Sequence, residues 1–116
     1  MRHQHKGRTL GRPKNQRTAL LRSLARSLII HERISTTEAK AKELRPFIEE
    51  IITHGRVDTV ANRRLVNSRL DDEEATKKIF TAIGPRYATR PGGYTRIIKR
   101  SATATDGRKT AYIALV

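Results

Sequence analysis

The first acidic side chain in this sequence is Glu32. Before it stand Arg2, Lys6, Arg8, Arg12, Lys14, Arg17, Arg22 and Arg26, with nothing of opposite sign among them. A stretch of one sign repels itself, and its charge must be answered by the rest of the chain or by an external polyanion. Residues 1–13 hold Gly7, Gly11 and Pro13 but one large aliphatic, Leu10. That is too little apolar surface to offset the entropy of ordering. The expectation is a basic extended arm over residues 1–13, ordered by its partner, on a single α+β domain over 14–116.

The whole chain carries the same bias. Lys and Arg number 25 against 11 Asp and Glu, a formal charge of +14, and seventeen of the cations are Arg. The planar guanidinium forks onto phosphate oxygens and stacks on bases, so the Arg excess points to a polyphosphate such as RNA. A chain of 116 residues is one domain by length, with one modest core. There is no cysteine, which removes disulfides, thiolate metal sites and Cys nucleophiles. No apolar run approaches the ~18 residues of a membrane span, and no apolar segment follows the basic N-terminus as in a signal peptide. Trp is absent and aromatics are 4%, against a membrane-surface helix. The default location is cytoplasmic.

Periodicity predicts a first helix over residues 15–30. Leu20, Leu21, Leu24, Ala25 and Leu28 form its apolar stripe, and Arg22 and Arg26 stand one turn apart on another face. A strand is expected over 32–36. The Ser35-x-x-Glu38 spacing suggests a capping box for a second helix over 38–54. Leu44, Phe47, Ile48, Ile51 and Ile52 would be buried there, with a kink at Pro46 and Gly55 as a left-handed stop. Asp58 would cap a helix over 59–69, with Val60, Leu65, Val66 and Leu70 inside. Asp71 or Asp72 would cap a fourth, buried through Ile79, Phe80 and Ile83 and stopped by Gly84-Pro85. Residues 86–93 read as a loop. Strands follow over 94–100 and 110–116, turning at Asp106-Gly107. The order is helix–strand–helices–β-hairpin, an α+β class with helices packed on a small mixed sheet.

Catalytic constellations are lacking. The only carboxylate cluster, Asp71 to Glu74, suits a helix start and its dipole. His3 and His5 alone do not make a metal site, and Gly92-Gly93 lacks the Gly-Lys-Ser/Thr ending of a phosphate loop. The chain reads as no enzyme, with no cofactor, no metal and no small-molecule substrate. The binding signal is stronger. Arg86, Tyr87, Arg90, Gly92, Gly93, Tyr94 and Arg96 interleave cations, flexible backbone and tyrosines, which suit phosphates and unpaired bases. The plain alternative is a turn with core tyrosines. Candidate RNA contacts are therefore Arg2, His3, Lys6, Arg8, Arg12, Lys14, Arg17, Arg22 and Arg26, then Arg86, Arg90, Gly92, Gly93, Tyr94 and Arg96. Arg63 and Arg64 are a second rank.

Several segments resemble one family. They are Met1-Arg2-His3 with Gly7-Arg8 and Leu10, His31-Glu32-Arg33-Ile34 with Thr36-Thr37, and Lys40-Ala41-Lys42-Glu43-Leu44-Arg45. Pro85-Arg86-Tyr87, Arg90, Gly92-Gly93-Tyr94-Thr95-Arg96-Ile97 and Ala111-x-Ile113-x-Leu115-Val116 complete the set. In order and spacing they are similar to the bacterial large-subunit ribosomal protein seventeen family. Gly84 departs from it, standing where Ala is more usual. The resemblance implies an α+β structural protein of the large ribosomal subunit, in the cytoplasm. It would contact large-subunit ribosomal RNA near the rim of the polypeptide exit tunnel, beside neighbouring ribosomal proteins. The rival classes are a DNA-binding regulator, which would need a base-reading helix, and an RNA-acting enzyme, which would need a catalytic constellation.

Overall fold

Local hydrogen bonding sets where each element starts and stops. The computed structural model describes residues 10–100 and 109–116. Arg2, His3, Lys6, Arg8 and the Asp106-Gly107 turn lie outside the described residues. Helix α1, Lys14–His31, begins after Pro13 and ends where Glu32 adopts a left-handed φ of 62° and donates its N–H to Leu28 O at 2.7 Å. A non-glycine residue there costs about 1–2 kcal/mol, which the contacts of Glu32 described below offset.

Strand β1, Arg33–Thr37, leads directly into α2, Glu38–Gly55. The cap is Thr37, whose hydroxyl accepts from Lys40 N–H at 3.3 Å, and not Ser35, which lies in the strand. Ala41, Leu44, Ile48, Ile51 and Ile52 are buried at helical spacing, and the helix continues through Pro46. Gly55 is its last residue and is not left-handed. Its role is packing: a Cβ there would collide with Ile79 Cγ2.

Helix α3, Val60–Leu70, is capped by Thr59, whose hydroxyl accepts from Asn62 N–H at 3.1 Å. Asp58 pairs with Arg63 instead. Val66 and Leu70 are buried, but Val60 is 65% exposed because it sits in the first turn, off the packed stripe. Asp72 caps α4, Glu73–Lys78, accepting from Glu74 and Ala75 N–H. The chain does not stop at Gly84-Pro85. A π-helical turn, Ile79–Ile83, carries it into a last helical turn, α5, Gly84–Arg86. Pro85 removes one backbone donor just where the π turn passes into α5.

Strands β2, Thr95–Lys99, and β3, Thr110–Leu115, complete a sheet of order β1-β3-β2. Both pairings are antiparallel, so the sheet is not mixed. β1 and β2 point the same way but never touch, because β3 lies between them. β3 takes the centre with Ala111 and Ile113 fully buried. One sheet face packs on α1 and α2. The core joins Leu28 and Ile29 of α1, Ile48 and Ile52 of α2, Val66 and Leu70 of α3, Ile79 and Ile83, and Ile113.

Candidate nucleic-acid interface

The end of the basic arm is drawn against the domain. Leu10 and Gly11 both have positive φ, 55° and 67°, and turn the chain into α1. Arg12 Nη1 donates back to Leu10 O at 2.7 Å, and Arg17 Nη1 donates to Arg12 O at 3.3 Å. Leu10 and Arg12 line one depression with Thr37, Glu38, Lys40, Lys42 and Lys109. Lys42 is paired with Glu38 at 3.0 Å, so Arg12, Lys40 and Lys109 are the cations around this hollow that no described acid answers. Lys14 is exposed and shares a second depression with Asn15, Thr18 and Arg22. The first turn of α1 holds no acid and no side-chain cap, so the positive end of its dipole adds to these cations.

Arg22 and Arg26 serve the fold. Arg22 Nε donates to Arg69 O at 2.9 Å, and Arg26 Nε and Nη2 donate to Leu70 O at 2.6 Å and Asp71 O at 3.0 Å. These are the carbonyls that α3 leaves unpaired at its C-terminus, where the dipole is negative. The two arginines spaced one turn apart on α1 thus cap a helix 44 and 47 residues away in sequence.

Glu32 is the second organiser. Arg86 forks onto it, Nη1 to Oε1 at 2.5 Å and Nη2 to Oε2 at 3.1 Å, and Lys78 Nζ stands 3.3 Å from Oε2. The Arg86 hydrogen bonds, more than those of Lys78, hold the Glu32 carboxyl down to about 2. Arg86 is held above its usual range by the same contact. The pair ties the end of α1 to the end of α5. Arg63 is likewise engaged, forked onto Asp58, which lowers the Asp58 pKa through those hydrogen bonds.

In the 86–96 loop the tyrosines are core residues. Tyr94 is 0% exposed, so it does not present a stacking face. Its hydroxyl meets Thr53 Oγ1 at 3.2 Å, accepts from Arg56 Nη1 at 3.3 Å and is 3.2 Å from Arg90 O. Its ring lies 5.2 Å from that of Tyr87, whose hydroxyl donates to Val116 O at 2.5 Å. Gly92 and Gly93 have φ of 145° and 64°, which only glycine adopts freely, and nothing stands where a Cβ would go. The turn offers open backbone, with exposed Arg90 and Arg96 flanking it.

Of the described candidates, then, Arg22, Arg26, Arg63 and Arg86 are engaged within the chain, Arg12 and Arg17 each donate to one carbonyl of the turn that leads into α1, and Tyr94 is buried. Arg64, Lys14, Arg90 and Arg96 form no ion pair with a described acid and stay exposed. Cations not singled out from the sequence join them: Arg33 and Arg100 on the sheet, Lys40 and Lys109 around the Arg12 hollow, and Lys77 near Arg64. The sheet register was the missing information, because Arg33 and Arg100 reach the Tyr112 ring only once β1 and β2 both pair with β3. Among the described residues no cluster of three metal-ligating side chains occurs, and no helix is long and apolar enough to cross a membrane.

A family model described as Ribosomal protein L17 matches residues 20–116. The chain belongs to the ribosomal protein L17 family. Membership makes it a structural protein of the large ribosomal subunit, associated with that subunit and its RNA. The L17 match begins inside α1, so it covers α1 from Leu20 onward, the Glu32 junction, the whole sheet and the Gly-Gly turn. Arg12, Lys14 and Arg17 lie ahead of it and rest on their own chemistry.

Proposed function

We propose that this L17-family chain binds large-subunit ribosomal RNA through the cations that the fold does not tie to a described acid or to a distant element. The supporting observation is the contrast at α1. Arg22 and Arg26 are consumed in capping α3, while Arg12, Lys14 and Arg17 gather at the uncapped, acid-free start of the same helix. The arm residues Arg2, His3, Lys6 and Arg8 extend this footprint. Arg64, Arg90, Arg96 and the open backbone of Gly92 and Gly93 supply further phosphate contacts. Arg22, Arg26, Arg63 and Arg86 are fixed by internal partners and contribute positive charge beside this footprint more than direct contacts. The protein acts in the cytoplasm, near the rim of the polypeptide exit tunnel beside other large-subunit proteins, as the resemblance implies. It performs no catalysis there. Its affinity is largely electrostatic and falls steeply with salt.

The test is sedimentation of a gentle lysate through a sucrose gradient. The expected result is stoichiometric migration with large subunits and intact ribosomes through a moderate-salt wash. Migration with chromosomal DNA, or as free protein at the top, overturns the reading.

A further inference from the structure

The sheet has two unlike faces. Ile34, Ile97, Ala111 and Ile113 turn toward the helices, while no described element covers the other face. Register sets what stands there. Ser35, Tyr112 and Ile98 form one cross-strand row, and Arg33, Ala114 and Arg96 form the next. Arg100 extends the far end, with its N–H on Thr110 O at 3.0 Å. The Arg33 guanidinium carbon lies 4.1 Å from the Tyr112 ring centroid and that of Arg100 lies 5.3 Å from it. Ile98 beside them is 46% exposed. None of the three strands contains Asp or Glu. Lys99, on the opposite face, takes the nearby Glu38.

Cation–π pairs can simply stabilise a sheet, but that role does not call for three arginines and no acid on one face. A solvated face intersperses both signs, because like charges on adjacent strands destabilise. The repulsion among Arg33, Arg96 and Arg100 is relieved by an anion lying across them. The row between them is aromatic and aliphatic, which suits the flat face of a base. Guanidinium groups held against a tyrosine ring add stacking planes and phosphate donors in the same place.

We propose that this outer sheet face is a stacking platform for an unpaired stretch of RNA. Tyr112 and Ile98 form its floor, and Arg33, Arg96 and Arg100 hold the backbone. The proposal rests on the RNA-binding reading above and adds a second surface, on the side of the sheet away from α1 and α2. Duplex RNA does not fit this chemistry, since its bases are already stacked and its bonding edges are poorly accessible.

The experiment measures binding of the full chain to a short single-stranded RNA, and to the same strand in a duplex, over a salt series. Tyr112→Ala is expected to weaken single-strand binding roughly ten-fold, leave duplex binding unchanged and leave the salt slope intact. Tyr112→Phe keeps the ring and should bind as the native chain does. Arg33→Ala with Arg100→Ala should lower the single-strand salt slope by about 1.4. Unchanged single-strand binding by a folded Tyr112→Ala chain overturns the platform while leaving the RNA-binding reading standing. Failure of the native chain to bind either RNA overturns both. A photo-crosslinking amino acid at position 98 gives an independent readout in assembled large subunits. An RNA adduct supports the platform; an adduct to protein only, or none, overturns it.

Discussion

A tyrosine beside a Gly-Gly turn can face a ligand or the core, and at Tyr94 the core has more to offer. Thr53, Arg56 and Arg90 O supply polar partners for the hydroxyl while the ring meets Tyr87. Tyr94→Ala is expected to cost about 3 kcal/mol or more, and Tyr94→Phe about 1 kcal/mol, by urea unfolding. RNA affinity of the Phe variant should match the native chain; a loss of binding without a loss of stability would return Tyr94 to the interface. The residue types of this loop were legible in the sequence, but the direction each side chain takes was not. That direction depends on Arg56, which is 38 residues away. Glu32 shows the same dependence. Its carboxyl titrates at about 2 instead of its ordinary value of about 4.5, chiefly because Arg86 forks onto it. A lowered folded value contributes stability that is complete above about pH 4.5 and lost as pH falls toward about 2. With the Glu32 side chain 36% exposed, solvent screening holds the contribution to about 1 kcal/mol. The stability gap between the native chain and Glu32→Gln should therefore close on acidification between those limits. A gap that stays constant with pH would show that Arg86 and Lys78 do not act through the charge.

At the scale of elements, the helices were legible where apolar spacing and a hydroxyl or carboxylate cap coincided. α2 and the Asp72-capped start of α4 follow that rule. Two of the misread positions were glycines. Gly55 and Gly84 carry the marks of helix ends in the sequence, yet neither adopts a left-handed φ. They are where the end of α2 crosses the π turn. A Cβ on Gly84 would strike the backbone carbonyl of Gly55, and one on Gly55 would strike the Ile79 side chain. Close approach between two helices 29 residues apart in sequence leaves no local signature. In an exposed helix, Gly→Ala gains about 1 kcal/mol of propensity. At Gly84 the obstacle is backbone, which cannot rotate away, and overpacking costs about 1–3 kcal/mol. Gly84→Ala is thus expected to destabilise, with the loss read as a lower urea midpoint at unchanged slope. A higher midpoint would mean that the two helices part easily and that the crossing is not what holds α5 in line.

For the whole molecule, charge sign was legible from the first 31 residues, but its allocation was not. A formal +14 on 116 residues must be spread between partners inside the chain and partners outside it. The fold spends Arg22 and Arg26 on α3 and leaves Lys14 and Arg17 without a described acid. This allocation separates stability from binding along one helix, and two double variants measure it. Arg22→Ala with Arg26→Ala removes four donors from carbonyls at the end of α3. It should cost about 2 kcal/mol in stability, with little change in the slope of log affinity against log salt. Lys14→Ala with Arg17→Ala lies a little over a turn away and removes the same formal charge. It should leave the urea midpoint nearly where it was and lower that slope by roughly two. The comparison holds net charge fixed, so a general loss of positive potential affects both variants alike and only the site-specific part differs. Equal slopes would mean that ribosomal RNA responds to the overall charge of the chain and not to which cations the fold leaves clear of distant partners.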